Sequence, residues 1–259
     1  MADPREELRD LSAAFRRHLE VRGRSGLVGV STRPSPVVPV ACEPAPTGND
    51  KESMTPYPTP PPVLYDEGKV LHAGMGVNAL RAEIGDCQRC KLSKHRRHIV
   101  LGTGNPEANL MFVGEAPGAD EDEQGEPFVG AAGQLLTKMI KAMGYERSDV
   151  YICNVIKCRP PNNRNPELDE ISACEPFLRQ QIAIVQPRII VALGKFAAQF
   201  LCGESTPITR LRGNLRTYNE IPVMPTYHPA FLLRDESRKG EAWSDLKHVM
   251  TLMTNMGLR

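Results

Sequence analysis

Nothing in this 259-residue chain approaches a membrane span, because no apolar run reaches the roughly 18 residues that crossing a bilayer takes. The opening segment, MADPREELRDL, is charged where a secretory signal needs a continuous apolar stretch. An exported chain is therefore not expected, and a cytoplasmic one is. An excess of charge is also missing, with 32 Lys and Arg against 31 Asp and Glu. A net charge of +1 neither demands nor excludes a nucleic-acid partner, since steering depends on local patches. What the chain does have is 23 prolines and seven cysteines. Seven cysteines in a cytoplasmic chain argue against a disulfide framework and direct attention to metal, cluster or catalytic use.

Length alone gives one to two domains at about 150 residues each. Residues 1–23 read as an amphipathic helix: Asp3 can cap, Pro4 suits the first turn, Glu6 completes a capping box and Gly23 can stop it. Leu8, Leu11, Phe15 and Leu19 share one face, which needs a surface to bury against; the sequence does not name that partner. Residues 24–68 read as a Pro-rich flexible linker, with ten of the prolines between 33 and 62. Residues 1–68 hold eight basic and ten acidic side chains, so the remainder, 69–259, is slightly basic with 24 against 21.

In that remainder four short apolar runs read as buried strands: 108–115 (ANLMFVGE), 150–156 (VYICNVI), 188–194 (RIIVALG) and 221–227 (IPVMPTY). Prolines in the last run point to an edge position. Helical patterns near 132–143, 167–184 and 195–202 alternate with the strands. The order implies an α/β fold, a parallel sheet covered by helices on both faces. Ligands in such folds sit beyond the carboxyl ends of the strands, so the residues after each run carry the chemistry.

Cys87 and Cys90 form a C-x2-C pair, and Cys158 and Cys174 follow with 15 residues between them. Four thiolates can grip one metal centre; spacing does not separate zinc from a [4Fe-4S] cluster, and buried apolar thiols are the plain alternative. Cys42, Cys153 and Cys202 read as spectators.

Gly114, Pro117 and Gly118 make a tight turn after the first strand, where backbone can approach a ligand closely. The acidic run 120–123 would repel a phosphate, and no Walker lysine follows. Phe128, between Pro127 and Gly130 with few apolar neighbours, is either a core or hinge residue or a flat surface for a base. Asn154 lies inside a buried strand, where an unpaired amide costs about 1–3 kcal/mol. It bonds either a neighbouring loop or a ligand such as a pyrimidine edge. Pro229 holds His228 extended at the end of the fourth run, aimed at the same crevice. Phe231, Leu232, Leu233 and Arg234 then form either a small core helix or a wedge between bases.

Taken together, GEAPG with GEPFVG, the strand Asn, KCRPP and HPA resemble the family 4 uracil-DNA glycosylases, which carry a [4Fe-4S] cluster. The resemblance covers about residues 80–255, and the ordered set with its four cysteines is highly specific. It implies a three-layer α/β/α sandwich with a four-stranded parallel sheet, and an enzyme that flips uracil from single- or double-stranded DNA and cleaves its bond to deoxyribose. Carried over by position, Glu115, Ala116 and Pro117 form the pocket wall, Phe128 stacks on uracil, Asn154 reads O4 and N3, and His228 bonds O2. Glu115 and His228 are the catalytic pair, Glu115 as the water-orienting group because Ala116 stands where a better-known family has its carboxylate; Glu121 or Asp122 are alternatives. Cys87, Cys90, Cys158 and Cys174 ligate the cluster. Lys91, Arg96, Arg159, Leu232 and Arg234 are the candidate DNA contacts; the basic run, with Lys94, His95, Arg97 and Arg164 beside it, is either a solvated face or a surface that holds phosphates. The family implies a monomer without membrane contact. A rival reading is a uracil-DNA binder without turnover, which a related subgroup achieves with a histidine-containing loop; TRLRGNLRTY here has no histidine. A zinc-stapled nucleotide-binding module is a third.

Overall fold

The computed structural model describes residues 76–258. The helix expected over 1–23, the linker over 24–68 and Cys42 lie outside the described residues. In chain order the elements are α1 (Val77–Ile84), β1 (Thr103–Gly104), β2 (Leu110–Gly114), α2 (Ala119–Gln124), α3 (Ala131–Ala142), β3 (Tyr151–Asn154), α4 (Leu168–Val185), β4 (Ile189–Leu193), α5 (Lys195–Cys202), α6 (Ile208–Leu211), β5 (Arg216–Tyr218), β6 (Ile221–Thr226), α7 (Pro229–Arg234) and α8 (Lys239–Asn255). No helix among them is long and apolar enough to cross a membrane.

The strands form one mixed sheet in the order β1-β3-β2-β4-β6-β5. Strands β3, β2, β4 and β6 run parallel, and β1 and β5 add short antiparallel edges. The sheet therefore has six strands where four were expected. The expected edge position of the proline-bearing run is also corrected, because β6 pairs with β4 on one side and β5 on the other. The β5–β6 hairpin turns through Asn219 and Glu220, both left-handed, so Tyr218 and Ile221 are the bonded pair next to the turn and Pro222 falls at the position that gives no N–H to β5. Pro225 lies beyond the end of β5, and its carbonyl accepts the Gly213 N–H at 3.1 Å.

All five residues of β2 and all five of β4 are buried, as central parallel strands require. Alternate side chains go to opposite faces. Met111 and Val113 join a cluster with Leu80, Leu178 and Phe200, while Leu110 and Phe112 join one with Leu136, Leu246 and Val249. Truncating a fully buried residue such as Phe112 to Ala costs about 3–5 kcal/mol.

The register brings the strand ends level. Gly114 lies beside Asn154, and Leu193 beside Thr226. The chain leaves β2 to one side for β3 and returns to its other side for β4, so the crevice opens where the strand order reverses.

Candidate active site

Gly114, the last residue of β2, has no room for a side chain: a Cβ there would collide with both Asn154 Oδ1 and the Phe128 ring. The glycine thus lets Asn154 and Phe128 close on one point. Asn154 is 1% exposed, and its Oδ1 is buried without a hydrogen-bond partner. Gln180, Gln181 and Gln199 also hold a buried amide oxygen without a partner, so what sets Asn154 apart is its place at the strand end, where its oxygen and the Phe128 ring close on Gly114. Phe128 is 6% exposed and also belongs to the apolar cluster with Leu136. The sequence reading missed those neighbours because they come from α3, where Gly133 leaves space for the Phe128 carbonyl.

Phe128 adopts a left-handed backbone with φ 54°. A non-glycine residue there is held by its surroundings. The holder is Glu121: Oε2 accepts the Gly118 N–H at 3.0 Å, and Oε1 accepts the N–H groups of Val129 and Gly130 at 2.9 and 3.0 Å. Arg147 grips the other side through the Pro127 carbonyl. The acidic run 120–123 forms helix α2, and Glu121 ties two pocket loops together. Asp122 accepts the Arg97 N–H at 2.9 Å, and its carbonyl meets His98 Nδ1. Both Glu121 oxygens are thus engaged by pocket-loop N–H groups, and Asp122 is buried at 3% exposure.

Glu115 directly follows β2, and burial pushes its carboxyl up to about 7 against the opposing pull of Lys195. Ala116 is half-buried and Pro117 buried beside it. At the end of β6, His228 caps α7: its Nδ1 accepts the Ala230 N–H at 3.1 Å. The imidazole lies 5.6 Å from the Phe128 ring. Gly194, at φ 88°, makes room for the His228 Cβ. Burial, with Arg234 nearby, lowers the imidazole to about 4. Below it, Thr226 donates to Asp245 at 2.7 Å, and Asp245 is bonded twice by Arg212.

Cys87, Cys90, Cys158 and Cys174 line one narrow cavity, closed by apolar groups that include Ile84, Ile99 and Phe177. All four are free thiols. Arg89 reaches Cys87 Sγ at 3.4 Å, Arg96 reaches Cys158 Sγ at 3.7 Å, and the Lys157 N–H reaches Cys174 Sγ at 3.2 Å. Burial pushes Cys158 up to about 12 and Cys174 to about 11, so neither is a reactive thiolate by itself. Among the described residues no three Cys, His, Asp or Glu side chains gather around a single-ion point.

Several residues expected to face DNA are engaged elsewhere. The Arg96 side chain is 6% exposed and pairs with Asp86. Lys91 is exposed but bonded to Glu167 and Asp169. Arg164 grips the buried Glu170, and Arg97 pairs with Glu123. Leu232, 1% exposed, packs with Tyr227 and Ala242 and is no wedge, whereas Leu233 is 42% exposed. Arg234 is exposed, and Arg159 is half-buried with its Nε donating to Asn163 at 2.7 Å.

The chain matches a family model, the uracil DNA glycosylase superfamily, over residues 101–247. The chain belongs to that superfamily. The type-4 uracil-DNA glycosylase of Sulfurisphaera tokodaii is 48% identical over 182 residues, 67% of this chain and 83% of that relative. That of Archaeoglobus fulgidus is 46% identical, covering 64% of this chain and 88% of its own length. That of Saccharolobus solfataricus is 49% identical, at 58% and 74%. Within the superfamily the chain groups with the type-4 uracil-DNA glycosylases.

Proposed function

We propose that this chain is a uracil-DNA glycosylase, which takes uracil out of DNA by hydrolysing the bond between the base and deoxyribose. The open Oδ1 of buried Asn154 carries the reading. It accepts the N3–H of a uracil that has swung out of the helix into the crevice, and the same amide donates to O4. Cytosine presents an acceptor at N3 and a donor at position 4, so both sides mismatch in a dry pocket. Phe128 stacks on the ring, with Ala116 and Pro117 as wall.

His228 acts as a neutral donor. Its Nδ1 is occupied by the Ala230 N–H, which leaves the proton on Nε2, directed at O2. As the C1′–N1 bond breaks, its electron pair passes to N1 and O2 of the leaving base, and a donor aimed at O2 stabilises that charge mainly in the transition state. Glu115 orients the water that attacks C1′ and takes its proton.

Cys87, Cys90, Cys158 and Cys174 are the ligand set for a [4Fe-4S] cluster. Four thiols around a cavity, with cations and an N–H turned toward the sulfurs, suit a multi-atom cluster better than a tetrahedral zinc, whose ligands meet at a point. Bound there, the cluster would supply a covalent staple joining the segment before β1, the loop after β3 and helix α4. The catalytic unit is residues 69–259, the sheet is the middle of a three-layer α/β/α sandwich, and the enzyme works as a cytoplasmic monomer.

The test is incubation with an oligonucleotide containing one uracil, followed by alkali. Free uracil and strand cleavage at that site are expected. Tight retention of uncleaved uracil-DNA would instead support capture without turnover.

A further inference from the structure

The geometry points to Lys157 as a positioning residue that ties the uracil-reading Asn154 to the cysteine cavity and supplies the positive charge facing the cluster. The inference rests on the glycosylase reading above.

Lys157 is among the largest fully buried side chains, at 1% exposure. An ammonium taken out of water is costly unless it meets an opposite charge or a full set of acceptors. No carboxylate pairs with it among the described residues. Its Nζ donates instead to the Asn154 main-chain carbonyl at 2.5 Å. Its own N–H donates to Cys174 Sγ, and its carbonyl accepts the Val100 N–H at 2.8 Å. The residue also lines the cavity of the four cysteines.

One residue therefore touches both sites. The carbonyl held by Lys157 belongs to the residue whose Oδ1 waits for the base. If four thiolates hold a cluster there, their negative charge is what the buried ammonium otherwise lacks. That explains a lysine at the base of an apolar strand end, where a methionine would pack as well. Loss of the charge should then be felt twice, at uracil and at the iron.

The experiment compares wild-type holoenzyme with Lys157→Met and Lys157→Arg, measuring inhibition by free uracil, the cluster's reduction potential and iron release to a chelator. Lys157→Met is expected to stay brown, to weaken uracil inhibition about tenfold through the lost charged hydrogen bond, to move the potential negative and to release iron faster. Lys157→Arg should return the potential toward wild type. Wild-type inhibition and potential in Lys157→Met would overturn the proposal. Should that variant fail to fold, the Nζ nitrogen resonance of Lys157 in wild type decides: a shift on adding uracil supports the link, and no response removes it. A wild type that releases no uracil would sink the glycosylase reading instead.

Discussion

His228 Nδ1 accepts the Ala230 N–H at 3.1 Å, and this single bond fixes what the imidazole can do. The first turn of α7 needs a cap for its free N–H groups, and His228 serves as that cap. With Nδ1 an acceptor and the ring lowered to about 4, the remaining proton sits on Nε2 throughout the physiological range. Helix capping thus prepares a neutral donor.

Replacing His228 by Ala should lower the single-turnover excision rate by about 100- to 1,000-fold, the range for one donor to a developing oxyanion. Affinity for uracil-DNA should change less, because the bond strengthens as charge builds on O2. Quench-flow under enzyme excess measures it; a rate near wild type would remove His228 from the donor role.

As the proposed water-orienting group, Glu115 should give the reaction its pH dependence. Burial holds its proton up to about 7, against an ordinary 4.5. Only the carboxylate can accept a proton from water, so excision should rise with pH through about 7 and then level. The same shift acts oppositely on stability: the folded state binds this proton more tightly than the unfolded chain, a gain complete below 4.5 and lost as pH rises through 7. Glu115→Gln should abolish the rising limb, slow excision, and melt at a higher temperature than wild type at pH above about 7. A rising limb that survives in Glu115→Gln would assign it to another group.

Asn154→Asp should weaken uracil excision by about 10- to 100-fold, since a carboxylate cannot donate to O4. A protonated Asp offers cytosine a donor for N3, so trace cytosine release is the informative second readout. Competition between uracil and cytosine oligonucleotides measures it, and unchanged uracil kinetics would place Asn154 outside the pocket.

Asn154 and His228 were legible in the sequence because each breaks a local rule, a polar residue inside a buried strand and a histidine locked before proline at a strand end. The four parallel strands were legible because their apolar runs follow the rule for strands buried on both faces. The edge strands were not: β1 has two residues and β5 three, too short for any periodicity. Glu121 was hidden because its acceptors' partners lie eight and nine residues downstream, and an acidic run carries no sign of them. Leu232 and Leu233 are adjacent on a six-residue helix, and only the packing of Tyr227 and Ala242 decides which one is buried.

Glu121→Ala should leave the Gly118, Val129 and Gly130 N–H groups without their acceptor and free the strained Phe128 loop. The cost is about 2–3 kcal/mol at roughly 1 kcal/mol per bond, a melting shift of several degrees. Inhibition by free uracil should weaken in parallel, since Phe128 is the proposed stacking surface for the ground-state base. Glu121→Gln should recover part of both. Full uracil affinity in Glu121→Ala would show that Phe128 holds its place without the carboxylate.

Salt dependence separates the cations that hold DNA from those that hold the fold. Each phosphate contact adds about one counterion to the slope of affinity against salt. Arg234 is exposed beside Leu233 and next to the His228 turn, so Arg234→Ala should reduce the slope by about one and leave the melting temperature unchanged. Arg96, turned inward onto Asp86 and Cys158, should do the reverse when replaced by Ala, with an unaltered slope and a less stable protein. Fluorescence anisotropy across a salt series, with thermal melts of the same variants, measures both. If Arg96→Ala flattened the slope while Arg234→Ala did not, the DNA-facing surface would lie on the cysteine side of the molecule and the α7 side would lose its assignment.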